Sequence, residues 1–325
     1  MVALSDRDES MQPERSQMTQ AFDVLGIGCV AVDDLLFVEQ YPAPDAKARV
    51  WRSERHCGGL TATALVAAAR MGARCAYAGV LGTDELSKFA AASLRAEGIC
   101  LEHTVRDPQA HAIHSTIVVS SAHQTRNIFH DHTGVVCAHP DCPSAEIITS
   151  AKVLFVDNVA LPDVLRAAKI AVAAGIPIVA DVEDLTCPGF DDLLALIDHL
   201  VISEDFAREL SGEAQPDGAA RVLCTHGRTV VVTCGSAGAW FIGPGILEPR
   251  LQSAFSVNSV DTTGCGDVFH GVYAAALARG ESLSKRVRFG AAAAALKATR
   301  AGGQAGIPTR AQVETFLREQ GCRPA

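Results

Sequence analysis

The stretch Val260-Asp261-Thr262-Thr263-Gly264-Cys265-Gly266-Asp267 carries the densest chemistry in this 325-residue sequence. A β-prone run ends at Val260 and an apolar, alanine-rich run begins just past the glycines, so the pattern predicts a strand-to-helix turn. Two glycines at such a turn let N–H groups point into one concavity, and the helix dipole adds partial positive charge. That nest suits an anion, above all a phosphoryl group in transfer. Asp267 falls in the first helical turn beside it, where a carboxylate can take the proton of an attacking alcohol. The dipole alone also favours an acid at a helix start, by under ~1 kcal/mol. These residues by themselves therefore leave both readings open.

The surrounding elements must hold that turn in place. FDVLGIGCVAV reads as a buried parallel strand ended by Asp33 and Asp34. Residues 35 to 56 alternate and are broken by Pro42 and Pro44, which suits a small exposed sheet. Gly58-Gly59 opens an alanine-rich helix closed by Gly72, followed by a strand in CAYAGVL and a helix in DELSKFAAASLRAEG. Alternation returns over 101 to 133, where AIHSTIVVS and TRNIFHDH read as a hairpin. VLFVD, IPIVAD, HLVIS and TVVVTC then alternate with helical segments, the rhythm of a parallel, helix-covered sheet. Ligands of such sheets collect at the carboxyl ends of the strands, here Asp33, Asp157, Asp181, Ser203 and Thr233. Two helices joined near Gly280 and a short one over 309 to 319 complete the pattern.

A formal net charge of -9 argues against a nucleic-acid surface, which needs clustered Lys and Arg. No apolar run is long enough to cross a membrane, and Ala291–Ala295 is bounded by Arg288 and Lys297. Residues 1–21 read as a disordered tail without the apolar core of a signal peptide, so the expected location is cytoplasmic. The 11 cysteines are scattered and odd in number, as free thiols in a reducing compartment would be. Cys137, His139 and Cys142 lack a fourth zinc ligand at a standard spacing, and read as a polar loop. His130 and His132 share a strand face with each other, and a lid sheet facing substrate accounts for them as well as a metal does.

DTTGCGDVFHG resembles the C-terminal signature of the ribokinase-like (PfkB) carbohydrate kinases, and the resemblance covers nearly the whole chain from about Phe22. Gly58-Gly59 is similar to the family's N-terminal signature, where the glycine pair approaches the sugar. Asp33 matches its sugar-hydroxyl acid, Thr233 to Gly238 its nucleotide-binding turn, and ALKATRAGGQAGIP its closing helix and loop. The resemblance implies a three-layer α/β/α domain over 22–325, with a mainly parallel central sheet. It also implies a β-sheet lid, formed by about 35–56 and 101–133, that closes over the sugar and often pairs between subunits. The implied reaction is ATP-dependent phosphorylation of a sugar hydroxyl, with Mg²⁺ accompanying the nucleotide. Asp267 would be the base, and the N–H groups of Gly264, Cys265 and Gly266 the anion hole. Thr233, Gly235, Ser236 and Gly238, with Ser203, would face ATP. Asp33, Gly58, Gly59 and Thr63 would face the sugar. In potassium-dependent members the counterparts of Asp261 and Thr263, with carbonyls near Gly303, hold a monovalent cation that shapes the hole.

Two departures bear on substrate and nucleotide. Where the family usually has Asn-x-x-Glu, ISEDFARELSG places Ser203 and Phe206, with Glu204 as an adjacent substitute. Thr63 and the segments around it look closer to the sulfofructose kinase branch, in which Lys47 would contact the sulfonate; that branch's other contacts fall at His130 and Asn158. The expected substrate is a ketose or pentose. A nucleoside kinase would draw on Phe37, Tyr41, Trp51 and Phe129, and a non-catalytic sensor would need neither Asp267 nor the glycine hole.

Overall fold

Short β-branched runs, alternating in which side they bury, build a sheet covered on both faces. The structure, a computed structural model, describes residues 21–321 apart from Gln124, Ala160 and His226. The expected tail, but for residue 21, lies outside the described residues. The chain opens with β1 (Phe22–Ile27), β2 (Ala31–Val38), β3 (Arg52–Gly58) and α1 (Leu60–Arg70). β4 (Cys75–Tyr77), β5 (Val80–Leu81), α2 (Glu85–Ala96), β6 (Val105–Arg106), β7 (Ile113–Ser120) and β8 (Thr125–Asp131) follow. The regular alternation comprises α3 (Ala145–Thr149), β9 (Ala151–Asp157), α4 (Leu161–Ala174), β10 (Ile178–Asp181), α5 (Phe190–Leu194) and β11 (His199–Ser203). It continues through α6 (Glu204–Ser211), α7 (Pro216–Leu223) and β12 (Thr229–Thr233) to β13 (Ala239–Ile242) and β14 (Arg250–Gln252). The helices α8 (Cys265–Ala278), α9 (Leu283–Ala298) and α10 (Arg310–Gly321) complete the described elements.

The main sheet has the order β14-β13-β12-β11-β10-β9-β1-β4. All pairs from β12 to β4 are parallel, and β13 and β14 add an antiparallel edge. Val24, Val153, Phe155, Val179, Val201 and Val231 turn one way, against Leu65 of α1, Val268 and Val272 of α8 and Val287 of α9. Their neighbours Leu25, Leu154, Ile178, Leu200 and Val230 turn the other way, against Val164 of α4, Phe206 of α6 and Leu223 of α7. The result is three layers, in which each fully buried Val or Leu contributes roughly 1.5–3 kcal/mol. Gly271 sets how closely α8 approaches α1, since a Cβ there would lie 1.9 Å from the Ala64 carbonyl oxygen. Among the described residues no helix is long and apolar enough to cross a membrane.

A second sheet of four strands, β3-β2-β7-β8, stands apart from the first. β2 pairs antiparallel with β3 and parallel with β7, and β7 and β8 form the expected hairpin. Its extent differs from the expected 35–56 and 101–133. Residues 39–51 contain no strand, and β6 pairs with β5 in a separate two-stranded sheet, so the second segment begins at Ile113. CAYAGVL likewise splits into β4 of the main sheet and β5 of the small one.

The first apolar run is also two strands, because the chain leaves the main sheet at Gly28 and re-enters the second sheet at Ala31. The fully buried Asp157, at the end of β9, fixes this crossover. Its Oδ2 accepts from the Cys29 N–H at 2.7 Å and from the Thr61 hydroxyl at 2.7 Å, and its Oδ1 accepts from the Val159 N–H at 3.1 Å. A Cβ on Gly28 would lie 2.2 Å from that carboxylate, so only glycine leaves room for it. Replacing Asp157 by alanine strands two buried donors, the Cys29 N–H and the Thr61 hydroxyl, and frees the Val159 N–H. The expected result is a loss of about 3 kcal/mol of unfolding free energy. Urea unfolding checks it, with Thr61→Val losing about 1 kcal/mol in the same assay.

Candidate active site

Between the two sheets lies a cleft of about 1170 Å³. The second sheet roofs it with Asp33, Leu35, Phe37, Arg52, Glu54, His56, Ile117 and Arg126. Its floor includes Gly59, Thr63, Glu183, Asp261 to Gly264, Asp267 and the loop 301–303. The volume is ample for a small polar substrate with a phosphoryl group behind it.

The floor is built around the start of α8. Gly264, its N-cap, has φ 76°, a left-handed conformation that favours glycine. The N–H of Cys265 is already committed to the Thr262 carbonyl at 3.1 Å. The expected hole of Gly264, Cys265 and Gly266 is therefore corrected: Cys265 closes the turn. The N–H groups that remain for an anion are those of Gly264, Gly266 and Asp267. The Cys265 thiol is half-buried against the Ala294 carbonyl, and burial pushes its pKa up, so it is no activated nucleophile.

Asp267 is half-buried by exposed area yet lies deep, at the foot of the cleft. Burial, together with the carboxylates of Asp181, Glu183 and Asp157, pushes its carboxyl well above the ordinary range; His270 opposes the shift. His270, which sequence reasoning did not single out, is buried one turn further along α8. Its Nδ1 lies 2.8 Å from the Gly266 carbonyl and 3.3 Å from Asp181 Oδ2, and its Nε2 lies 2.7 Å from the Val201 carbonyl. The ring thus ties the first turn of α8 to β10 and β11. The i, i+4 spacing of Gly266 and His270 on one helix face was the signal available for it.

The opposite wall carries Asp33 on β2, with His56 and Ser115 as its cross-strand neighbours. Burial raises its carboxyl pKa, against the pull of the Ser115 hydroxyl and of His56 and His114. A Cβ on Gly58 would lie 2.7 Å from Asp33 Oδ2, so this glycine keeps the carboxylate open to the cleft. Gly59 caps α1 with φ 96°, and Thr63 is buried one turn on, accepting from Gln304 Nε2 at 3.3 Å. Asp33, Gly58, Gly59 and Thr63 are thus brought together with Asp267, as expected.

Lys47, His130 and Asn158 are not. Lys47 is exposed in the strandless 39–51 segment and does not line the cleft. His130 stacks edge-on with His132, and only His132 reaches the cleft. Asn158 is buried and spent on the loop after β10, donating to the Asp184 carbonyl at 2.7 Å and accepting from the Glu183 N–H at 3.4 Å. Sequence reasoning missed Arg126 of β8, whose guanidinium crosses the cleft to the Thr263 hydroxyl and lies 3.9 Å from Asp261 Oδ1. Arg52 pairs with Glu54 and lies over the Phe37 ring, 4.7 Å from its centroid.

The residues expected to face the nucleotide do not line this cleft; they lie along the carboxyl edge of the main sheet, where Ser203 and Thr233 are register partners on β11 and β12. Ser203 Oγ accepts from the Phe206 N–H at 3.2 Å as the cap of α6, and Phe206 packs in the core. Glu204 sits beside Cys234, whose thiol burial pushes up to about 11 with help from that carboxylate. Gly235 (φ 53°) has open space around it, and Ser236 beside it is exposed. Gly238 is needed instead for packing, since a Cβ there would lie 2.1 Å from the Gln252 carbonyl oxygen.

Around Asp261 the oxygens expected to bind potassium are engaged. Asp261 Oδ1 accepts from the Thr263 N–H at 2.9 Å and Oδ2 from the Gly302 N–H at 2.9 Å. Its carbonyl accepts from the ammonium of Lys297 at 2.9 Å. Among the described residues neither the Cys137 loop nor His130 and His132 gather three metal-ligating atoms; Cys100, Glu102 and His103 do, at the surface.

The model of the pfkB family carbohydrate kinases matches residues 23–310. Among curated proteins, the ribokinase of Haemophilus influenzae is 29% identical over 301 residues, covering 90% of this chain and 97% of its own. The 5-dehydro-2-deoxygluconokinase of Shouchella clausii is 24% identical over 324 residues, covering 94% and 98%. Among solved structures, Thermotoga maritima ribokinase superposes with a TM-score of 0.79 at 25% identity, covering 91% of this chain and 99% of its own. Arabidopsis thaliana ribokinase, solved with ribose and ATP, has the same fold, with a TM-score of 0.81 at 24% identity over 92% and 99%. A cleft with an aspartate beside a helix-start anion nest, on a chain so matched along nearly its whole length, identifies a member of the pfkB carbohydrate kinase family, an ATP-dependent sugar kinase.

Proposed function

We propose that the enzyme phosphorylates a hydroxyl of a neutral pentose or ketose, with Asp267 as general base. The observation that carries this reading is the placement of Asp267 and three unpaired N–H groups at one end of a cleft whose other end holds Asp33. Asp33 accepts from sugar hydroxyls and fixes the ring. One remaining hydroxyl then points at Asp267, which takes its proton as the oxygen attacks the γ-phosphorus. The N–H groups of Gly264, Gly266 and Asp267, at the positive end of α8, receive the negative charge of the transferring group.

ATP would approach along the strand ends carrying Thr233, Gly235 and Ser236, with its Mg²⁺ as part of the substrate. Glu183, exposed at the cleft wall, and Glu204, beside the nucleotide turn, are the carboxylates placed to meet that ion. Glu204 would then do what the family's usual Asn-x-x-Glu does. A neutral substrate is favoured because the cations of the cleft are already paired, Arg52 with Glu54 and Arg126 with Thr263 and Asp261. With Lys47, His130 and Asn158 outside the cleft, a sulfonate would lack the donors it needs. Phe37 and Trp51, 5.6 Å apart at the cleft, favour a nucleoside as second reading.

A coupled ADP-release assay across pentoses, ketohexoses, sulfofructose, sugar acids and nucleosides tests these readings together. D-Ribose or a ketohexose is expected to respond most strongly; sulfofructose as the best substrate would overturn the neutral assignment. Asp267→Asn should lower kcat by about 10³-fold or more while leaving sugar binding within a few-fold, measured by calorimetry. Unchanged turnover would remove Asp267 from the chemistry.

The pH profile follows from the same carboxyl. A base works ionised, and burial holds Asp267 above the ordinary carboxylate range, so kcat/KM should fall as pH drops through that raised value. The acid limb is therefore expected at a higher pH than an exposed aspartate would give. An acid limb at or below the ordinary aspartate range of about 4 would contradict it.

A further inference from the structure

Lys297 is fully buried in the last turn of α9, and burying an ammonium is costly unless it is matched. It is matched by one residue. Its Nζ donates to the Asp261 carbonyl at 2.9 Å and stands 3.7 Å from Asp261 Oδ2. Burial tends to raise the Asp261 carboxyl pKa, but the Thr263 N–H, Lys297 and the Gly302 N–H outweigh it and hold the group ionised below its ordinary value. Lys297 also bears on the Cys265 thiol, so its charge lies directly behind the turn that starts α8.

Asp261 and Thr263 are also the residues that a structural potassium ion would draw on, together with carbonyls near Gly303. Both Asp261 carboxylate oxygens already accept N–H bonds, its carbonyl accepts the ammonium, and the Thr263 hydroxyl takes the Arg126 guanidinium. A further cation would meet an ammonium already 3.7 Å from the carboxylate it would have to share, and each of these oxygens already accepts a donor. The donor set therefore does not fit potassium.

We propose that the Lys297 ammonium is a tethered replacement for a monovalent cation, holding the 261–266 turn in its anion-binding shape without any added ion. Lys297 is a positioning residue: it touches Asp261, not substrate. An ion borrowed from solution binds with an affinity and depends on the medium, whereas a covalently attached ammonium is present at unit occupancy. This inference rests on the reading of Gly264 to Asp267 as the phosphoryl site, and goes beyond it in predicting cation independence.

The test compares potassium chloride with choline chloride at matched ionic strength. With the best responding sugar, the wild-type kcat should agree within about two-fold in the two salts. Lys297→Ala should lose about ten-fold or more in choline and recover in potassium or ammonium chloride, which a purely packing role would not do. Activation of the wild type by potassium of about ten-fold would overturn the proposal, as would a Lys297→Ala loss that neither ion restores. Thermal unfolding gives an independent reading. A resident potassium site would raise the wild-type Tm specifically in potassium, and none is expected, whereas the folded variant should gain that ion-specific rise. If no sugar turns over in either salt the kinase reading fails, and the unfolding comparison still decides the cation question. If the variant does not fold, the wild-type comparison alone decides it.

Discussion

The geometry of the cleft depends on a buried carboxylate that does not itself line it. Asp157 ends β9 in the middle of the main sheet and holds the Cys29 N–H and the Thr61 hydroxyl at once. Through Cys29 it sets where the chain departs from β1 into the second sheet. Through Thr61 it sets the start of α1, and so the place of Gly59 and Thr63. Burial raises its pKa even though all three donors favour the charged form, as expected of an acid so deep in a core. The cost is tolerated because the alternative is two stranded donors at the junction of two sheets.

A second constraint acts on the other wall. Gly271 lets α8 press its backbone against α1, and the ring of His270 beside it lies within hydrogen-bonding distance of the carbonyls of Gly266 and Val201. These contacts leave the first turn of α8 little freedom to move along its own axis. The 261–264 loop is held separately, by the Gly302 N–H and the Lys297 ammonium on Asp261. An anion nest works by preorganisation: its N–H groups must already point where charge will develop. Here α8 and the loop are each fixed by buried polar contacts, at the place where the backbone N–H groups themselves are left unpaired.

Much of the architecture was legible from pattern alone. The β-branched runs of the main sheet, the three final helices and the β7–β8 hairpin all follow from period and punctuation. What failed were the places where long-range contacts override local pattern. FDVLGIGCVAV is continuous in hydrophobicity, yet Asp157, more than a hundred residues away, breaks it at Gly28. CAYAGVL is likewise one run by composition and two strands in space. The site shows the same division. Asp267, Gly58 and Gly59 sit at element ends whose chemistry is local, and they meet Asp33, which lies within β2 instead of ending a strand. Lys47, His130 and Asn158 were placed by alignment to a branch, and their surroundings send them elsewhere. Arg126 and Lys297 could not be read, because a long cation gives no sign in sequence of which distant oxygen it reaches. Cys265 shows a finer failure, since glycine spacing cannot tell which N–H the turn itself consumes.

Arg126 and Lys297 both approach Asp261, at different oxygens, and they differ in kind. Lys297 comes from the last turn of a packed helix, fully buried, and its contact is permanent on the timescale of the fold. Arg126 comes from an exposed strand of the second sheet, with its side chain about half exposed at 48%. An exposed ion pair of this kind is worth little in stability, under ~1 kcal/mol. Breaking it would cost the core little. Arg126 reaches the Thr263 hydroxyl, next to Gly264 of the anion nest, from the same sheet that carries Asp33. One sheet thus carries both Asp33 and the contact to the loop before α8, so the two walls of the cleft are joined through a residue that also carries charge.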